Sequence, residues 1–214
     1  MSAEVPANEA PVLISRRQRH SSGAAAAASL LVASLLSNDA AAAEALAPFT
    51  WTSPYPDDTD VSLSLELPKE WSLQGPLNGG MTGSKLFIAT DPQDESKRSI
   101  LINLIPLRGD FASIGSLGGP SKIREIITGG VAEGDSVKLL AEEMRSGNAY
   151  VELIQSTSEK PKMHMLSVWT LMQGGGRNWL GSVTLSVPED SFPAFKPTSD
   201  AIVKSLKVTQ SSNR

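Results

Sequence analysis

Between residues 49 and 208 the sequence sets short hydrophobic runs between polar and glycine-rich breaks. Val61-Ser62-Leu63-Ser64-Leu65-Glu66-Leu67 alternates strictly, the pattern of a strand with one dry face. Pro68-Lys69-Glu70-Trp71 ends it. Residues 85–90 and 100–105 read as the next two strands, with a polar loop over residues 91–98 between them. The second is apolar at both parities, as expected of a strand covered on both faces. Gly119-Pro120-Ser121 opens a helix, because proline suits the first helical position. Ile123, Ile126 and Ile127 give that helix an apolar stripe, and Gly129-Gly130 stops it.

Three more strands follow, at residues 136–140 continuing towards Met144, at 150–157 and at 163–172. Gly174-Gly175-Gly176 turns the last of these into a strand over 179–187, a hairpin by position and composition. Phe192, Phe195, Ile202, Val203 and Leu206 are spaced by three, four or seven. Pro197 must break or start that element, so the spacing predicts a turn and then a helix from about Thr198. Strands, one helix, strands and a final helix argue α+β rather than a doubly wound parallel sheet. The doubly apolar strands call for cover on both sides. The expected architecture is one domain over residues 48–210, an α-β-α sandwich around a central, mainly antiparallel sheet, followed by a tail over 211–214.

Residues 1–47 follow another pattern, that of a targeting segment. Arg16, Arg17, Arg19 and His20 precede a 13-residue apolar run from Ala24 to Leu36. A spanning helix needs about 20 residues, so this run has the length of a signal core, not of a permanent anchor. Small residues at 41–43 and 45–47 offer two A-x-A cleavage sites. Pro48 hinders cutting after Ala47, which leaves cleavage after Ala43. Ser15-Arg16-Arg17 carries the twin arginine of the export route for folded proteins.

Composition removes most chemistry. There is no cysteine, so disulfide scaffolds, thiolate metal sites and cysteine nucleophiles are excluded. Nineteen basic against 23 acidic side chains give a net charge of −4, which carries no basic footprint of a nucleic-acid binder. His20 and His164 are the two histidines, and every Ser and Thr of the domain shares one imidazole, so no nucleophile–base pair is apparent. The reading is a protein that is not an enzyme.

His164 is the residue with reach for chemistry. A hairpin centred on Gly175 puts about residue 186 opposite it, with Glu189 and Asp190 just past the end of the paired strand. Imidazole and carboxylate suit Zn²⁺ or Mn²⁺, so His164, Glu189 and Asp190 are the candidate metal ligands. One imidazole with one or two acids is an incomplete shell, which implies at most weak binding; the bland alternative is a locally hydrogen-bonded strand histidine. Asp57-Asp58-Thr59-Asp60 has calcium-type residues without the glycine or distal glutamate of a calcium loop, and reads as an exposed turn. Gly174-Gly175-Gly176-Arg177 lacks the following helix and Lys-Ser/Thr of a phosphate loop.

Several segments together resemble the PsbP family. Tyr55 before the strand ending in Leu67-Pro68-Lys69-Glu70-Trp71 is similar to that family's F-x-L-P-x-x-W opening. Residues 86–92 resemble its V-x-F-x-D strand, residues 100–105 its N-x-x-V-x-V strand, and residues 114–120 the S-I-x-x-x-G-S-P before its first helix. Tyr150-Val151, Met163-His164-Met165, Asn178-Trp179 and Ser191-Phe192 extend the match colinearly from Phe49 to Val208. Two aromatics usually stand in the family where this chain has Tyr150-Val151. The resemblance implies an extrinsic protein of the chloroplast thylakoid lumen that is peripheral to the membrane. It implies association with photosystem II and its oxygen-evolving complex, or with their assembly and repair. It requires no cofactor and admits a weakly bound Zn, Mn or Ca ion; some members bind metal at places matching His164 and Glu189. Photosystem I, the chloroplast NDH complex, and a ligand- or metal-binding protein exported to a bacterial periplasm are the alternatives.

Overall fold

The computed structural model describes residues 44–210 except 59, 80–82, 94–97, 130, 132–133 and 158–160. The cleavage site after Ala43 and the tail over 211–214 lie outside the described residues. Five strands come first: β1 (Leu46–Thr52), β2 (Ser62–Pro68), β3 (Ser72–Asn78), β4 (Lys85–Thr90) and β5 (Ser99–Leu107). After helix α1 (Gly119–Thr128) come β6 (Ser136–Arg145), β7 (Asn148–Ser156), β8 (Met163–Gln173) and β9 (Asn178–Pro188). Helix α2 (Phe192–Ser205) and the short β10 (Lys207–Thr209) close the chain. Seven strands form one antiparallel sheet in the order β3-β4-β5-β9-β8-β7-β6, and β1-β2-β10 form a second, smaller one.

Alternation along the strands sends side chains to two different cores. Ile100, Ile102, Leu104, Val183, Leu185 and Val187 face the larger core, which is closed by Val61, Leu63 and Leu65 of the small sheet and its approach and by Phe195 and Ile202 of α2. Ala149, Val151, Leu153, Trp169 and Leu180 face the other side, against Ile114 and Ile123. The central sheet thus lies between α1 on one face and α2 with the small sheet on the other. This is the expected α+β sandwich, with one layer richer than expected. Trp51, Trp71, Trp169 and Trp179 are all buried in it.

Four details differ from the sequence reading. β5 is not covered along both faces: α1 packs over β6 and β7, and Leu101 stays 39% exposed. Pro197 does not break the final helix, which starts at Phe192 with Pro193 in its first turn and runs through Pro197. Burial of Phe195, Thr198, Ser199 and Ile202 holds it, outweighing the one backbone hydrogen bond that proline removes. The hydrophobic pattern does not predict strands β1, β3 and β10. Finally, the fold reaches back to Glu44, ahead of the expected start at residue 48. Glu44 donates its backbone N–H to Thr198 Oγ1 at 2.9 Å, and its carboxylate meets Arg98 at 2.8 Å. Arg98 also pairs with the buried Asp91 and lies 5.7 Å from the rings of both Trp71 and Phe195.

Two glycines permit close approach between layers. A Cβ on Gly181 would stand 2.9 Å from Leu63 Cδ1, so this bare position in β9 lets the small sheet close down. A Cβ on Gly175 would stand 2.7 Å from the Asp57 carbonyl oxygen, where the β8–β9 hairpin tip meets the Pro56–Asp58 turn.

Candidate functional site

His164 is the second residue of β8, paired with Ile154 of β7 and Val187 of β9. The hairpin pairs Gln173 with Asn178, so its centre falls half a residue beyond Gly175 and the residue opposite His164 is Val187, not Ser186. That one-residue difference matters, because in a strand it exchanges faces. Val187 shares His164's face, and the position two further on that face is Glu189, not Asp190. The backbone keeps that phase past the end of β9, since Glu189 N–H donates to the Lys162 carbonyl at 2.8 Å.

The resulting site is a histidine held at both ring nitrogens. Nδ1 lies 2.7 Å from Glu189 Oε2 and Nε2 lies 2.7 Å from Glu152 Oε1. Glu152 belongs to β7, two residues from the position opposite His164 and on the same face. The Phe192 ring, at the first residue of α2, stacks on the imidazole at 3.4 Å between centroids and 8° between planes. The ring is 5% exposed, while the glutamate side chains keep 32% and 35% exposure. Two carboxylates thus emerge to solvent from either side of a buried ring.

Protonated imidazole donates to both glutamates; a neutral ring donates to one and turns a lone pair to the other. The arrangement therefore anchors three segments to each other: β7, β8, and the turn from β9 into α2. It brings His164 and Glu189 together as expected and adds Glu152. Asp190 stands exposed on the turn, and no hydrogen bond joins it to His164. Glu152 was accessible in principle from the 150–157 and 163–172 strands, but its diagonal position depends on the register across a loop of unfixed length.

The cluster does not fit a resident metal ion. Each ring nitrogen already faces one carboxylate at hydrogen-bond distance, and the two glutamates lie on opposite edges of the ring. A cation entering at either nitrogen meets one imidazole and one carboxylate, half of a tetrahedral zinc shell. Among the described residues no group of three or more His, Asp or Glu side chains is placed to hold a metal. Beside Glu152 and Phe192 a cavity of about 200 Å³ opens between the sheet and α2, lined by Tyr150, Leu166, Lys196 and Asp200. That is below the 300–1,000 Å³ usual for a small-molecule site.

No helix among the described residues is long and apolar enough to cross a membrane. No family model and no curated protein matches the sequence. The solved structures do match. The chain superposes on cyanobacterial PsbP from Synechocystis with a TM-score of 0.55 and 17% identity, over 75% of this chain and 92% of that one. LpqN of Mycobacterium tuberculosis, a protein involved in cell envelope biogenesis, gives a TM-score of 0.51 and 14% identity, over 77% and 91%. An antiparallel sheet between two helical layers, shared with cyanobacterial PsbP along nearly its whole length, makes this a PsbP-like fold.

Proposed function

We propose that this protein is a non-enzymatic, peripheral docking protein of the thylakoid lumen, bound to the lumenal face of a photosynthetic membrane complex, with photosystem II as the complex. The observation that carries the reading is the match to nearly all of cyanobacterial PsbP, taken with an N-terminal segment of the export type. The site's chemistry supports it. The one imidazole of the described domain is committed at both nitrogens to carboxylates, which leaves none to activate a serine or threonine. Photosystem I and the chloroplast NDH complex are the competing docking targets within this reading.

The test is capture from detergent-solubilised thylakoids on the tagged protein, with bound subunits identified by mass spectrometry. Enrichment of photosystem II subunits over a tag-only control is expected. Enrichment of photosystem I or NDH subunits instead would move the target, and capture of no membrane complex would overturn the docking reading. A screen against ester, phosphate and peptide substrates is expected to find no turnover.

The likeness to LpqN favours one second reading, an exported protein of a bacterial envelope. Fractionation of the source cells separates the two, because a lumenal protein co-purifies with washed thylakoid vesicles and is released when they are broken.

A further inference from the structure

The large sheet ends in β6, which carries more exposed large apolar side chains than any other described element. Seven large apolar side chains stand exposed in the described structure, and three of them, Leu139, Leu140 and Met144, lie on β6 at 39–44% exposure. A fourth, Ile126 at 54%, is on α1, the helix packed against β6 and β7. An open ten-residue edge strand with apolar side chains is a template for pairing with another strand.

The bulge in β6 decides which strand fits. Pairing with β7 shifts between Leu139 and Ala141, leaving Leu140 as the extra residue. Lys138 pairs with Ile154 and Glu143 with Tyr150, so the bulge brings Lys138 and Glu143, five residues apart, to one face of the sheet. Val137 pairs with Gln155 and Met144 with Ala149, so these two share the opposite face. In a regular strand residues an odd number apart never share a face. Here they do, and the sequence becomes self-complementary about the Leu140–Ala141 bond.

We infer that β6 is a homodimer interface, pairing antiparallel with β6 of a second copy across a two-fold axis at the Leu140–Ala141 bond. Lys138 then lies opposite the partner's Glu143, and Val137 opposite the partner's Met144, each twice by symmetry. The two seven-stranded sheets become one. Charges on an edge strand ordinarily repel a second copy; in this register they attract it. Lys138 is exposed and forms no ion pair among the described residues of the monomer. Glu143 is held in place by Arg145 on the same strand. Glu142, which faces the partner's Leu139, is drawn away to α1 by Ser121 and Arg124. A single edge ladder with two apolar pairs lies at the small end of specific interfaces, so the dimer is weak and concentration-dependent.

The chain has no cysteine, which makes the register directly testable in the full-length protein. The double variant Val137→Cys with Met144→Cys places thiols opposite each other between subunits. Within one subunit they lie seven residues apart on an extended strand, roughly 23 Å and far beyond disulfide reach. On mild oxidation it is expected to form a covalent dimer on non-reducing gels, while each single variant stays monomeric. Sedimentation velocity is expected to show dimer growing through the micromolar range. Lys138→Glu should weaken it at least tenfold, and Lys138→Glu combined with Glu143→Lys should restore it. Monomer at all concentrations up to about 1 mM, association insensitive to the charge reversal, or equal cross-linking by the single cysteines would each overturn the interface.

Discussion

A histidine bonded at both nitrogens has little freedom. Its ring plane is set by Phe192, and its two edges by Glu152 and Glu189. Removing either carboxylate leaves a buried ring nitrogen facing a neutral group, so Glu152→Gln and Glu189→Gln are each expected to cost about 1 kcal/mol, less than a fully buried charged bond because both acids are a third exposed. His164→Ala removes both bonds and the stacked ring and is expected to cost about 2–4 kcal/mol. Urea unfolding of the three variants measures this, and a double-mutant cycle of the two glutamates reports whether they act through the same ring. The same geometry bears on metal. We expect Zn²⁺ titrated by calorimetry to bind weakly, with Glu189→Gln reducing the heat, His164→Ala abolishing it and Asp190→Asn leaving it unchanged. Nanomolar affinity, or binding that survives in His164→Ala, would contradict the two-ligand geometry.

At the scale of elements, α2 keeps a proline where its backbone would otherwise make a hydrogen bond. Pro197→Ala is expected to raise the stability of the domain by about 1 kcal/mol, read as a higher urea midpoint, because a helical bond is gained while little packing changes. In α1 the Lys122 hydrogen bond and charge hold the Glu125 carboxyl below its usual range. A depressed carboxyl favours the fold above its unfolded range and loses that contribution as pH falls through the folded value. Lys122→Met should return Glu125 upward towards the ordinary glutamate range in a carboxyl NMR titration, with little change in stability, because both groups are exposed. These elements also show what the sequence could tell. β2, α1 and the β8–β9 hairpin were legible because alternation, Pro120 and the glycine triplet are local signals. β3, reading Ser-Leu-Gln-Gly-Pro-Leu-Asn, has none of them and is a strand only because β4 pairs with it. β1 and β10 exist through pairing with β2, β10 from far along the chain. The sequence points to Glu189 and not to Glu152 because of the two hairpins' turns. One hairpin had a turn that fixed its register to within a residue, and the other did not.

For the whole molecule, the layers meet through small contacts that a single atom can upset. Gly181→Ala would wedge Leu63 of the small sheet away from β9, and Gly175→Ala would press on the Asp57 carbonyl. The backbone oxygen cannot turn aside as a leucine methyl can. Both are expected to destabilise by about 1–3 kcal/mol, with Gly175→Ala the more local, separable by hydrogen exchange confined to the hairpin tip and the Pro56–Asp58 turn.

In the small sheet β2 lies between β1, made first, and β10, made last. Its far edge stays empty until residue 209 has been synthesised, and Val61, Leu63 and Leu65, which close the larger core, sit on or beside that unfinished strand. The order of synthesis therefore runs against the order of assembly. A growing chain holds its apolar small-sheet residues without their last partner throughout elongation, and the finished fold forms only after the end of the domain has left the ribosome. Any carrier that takes this domain folded must wait until residues 207–209 are free to pair.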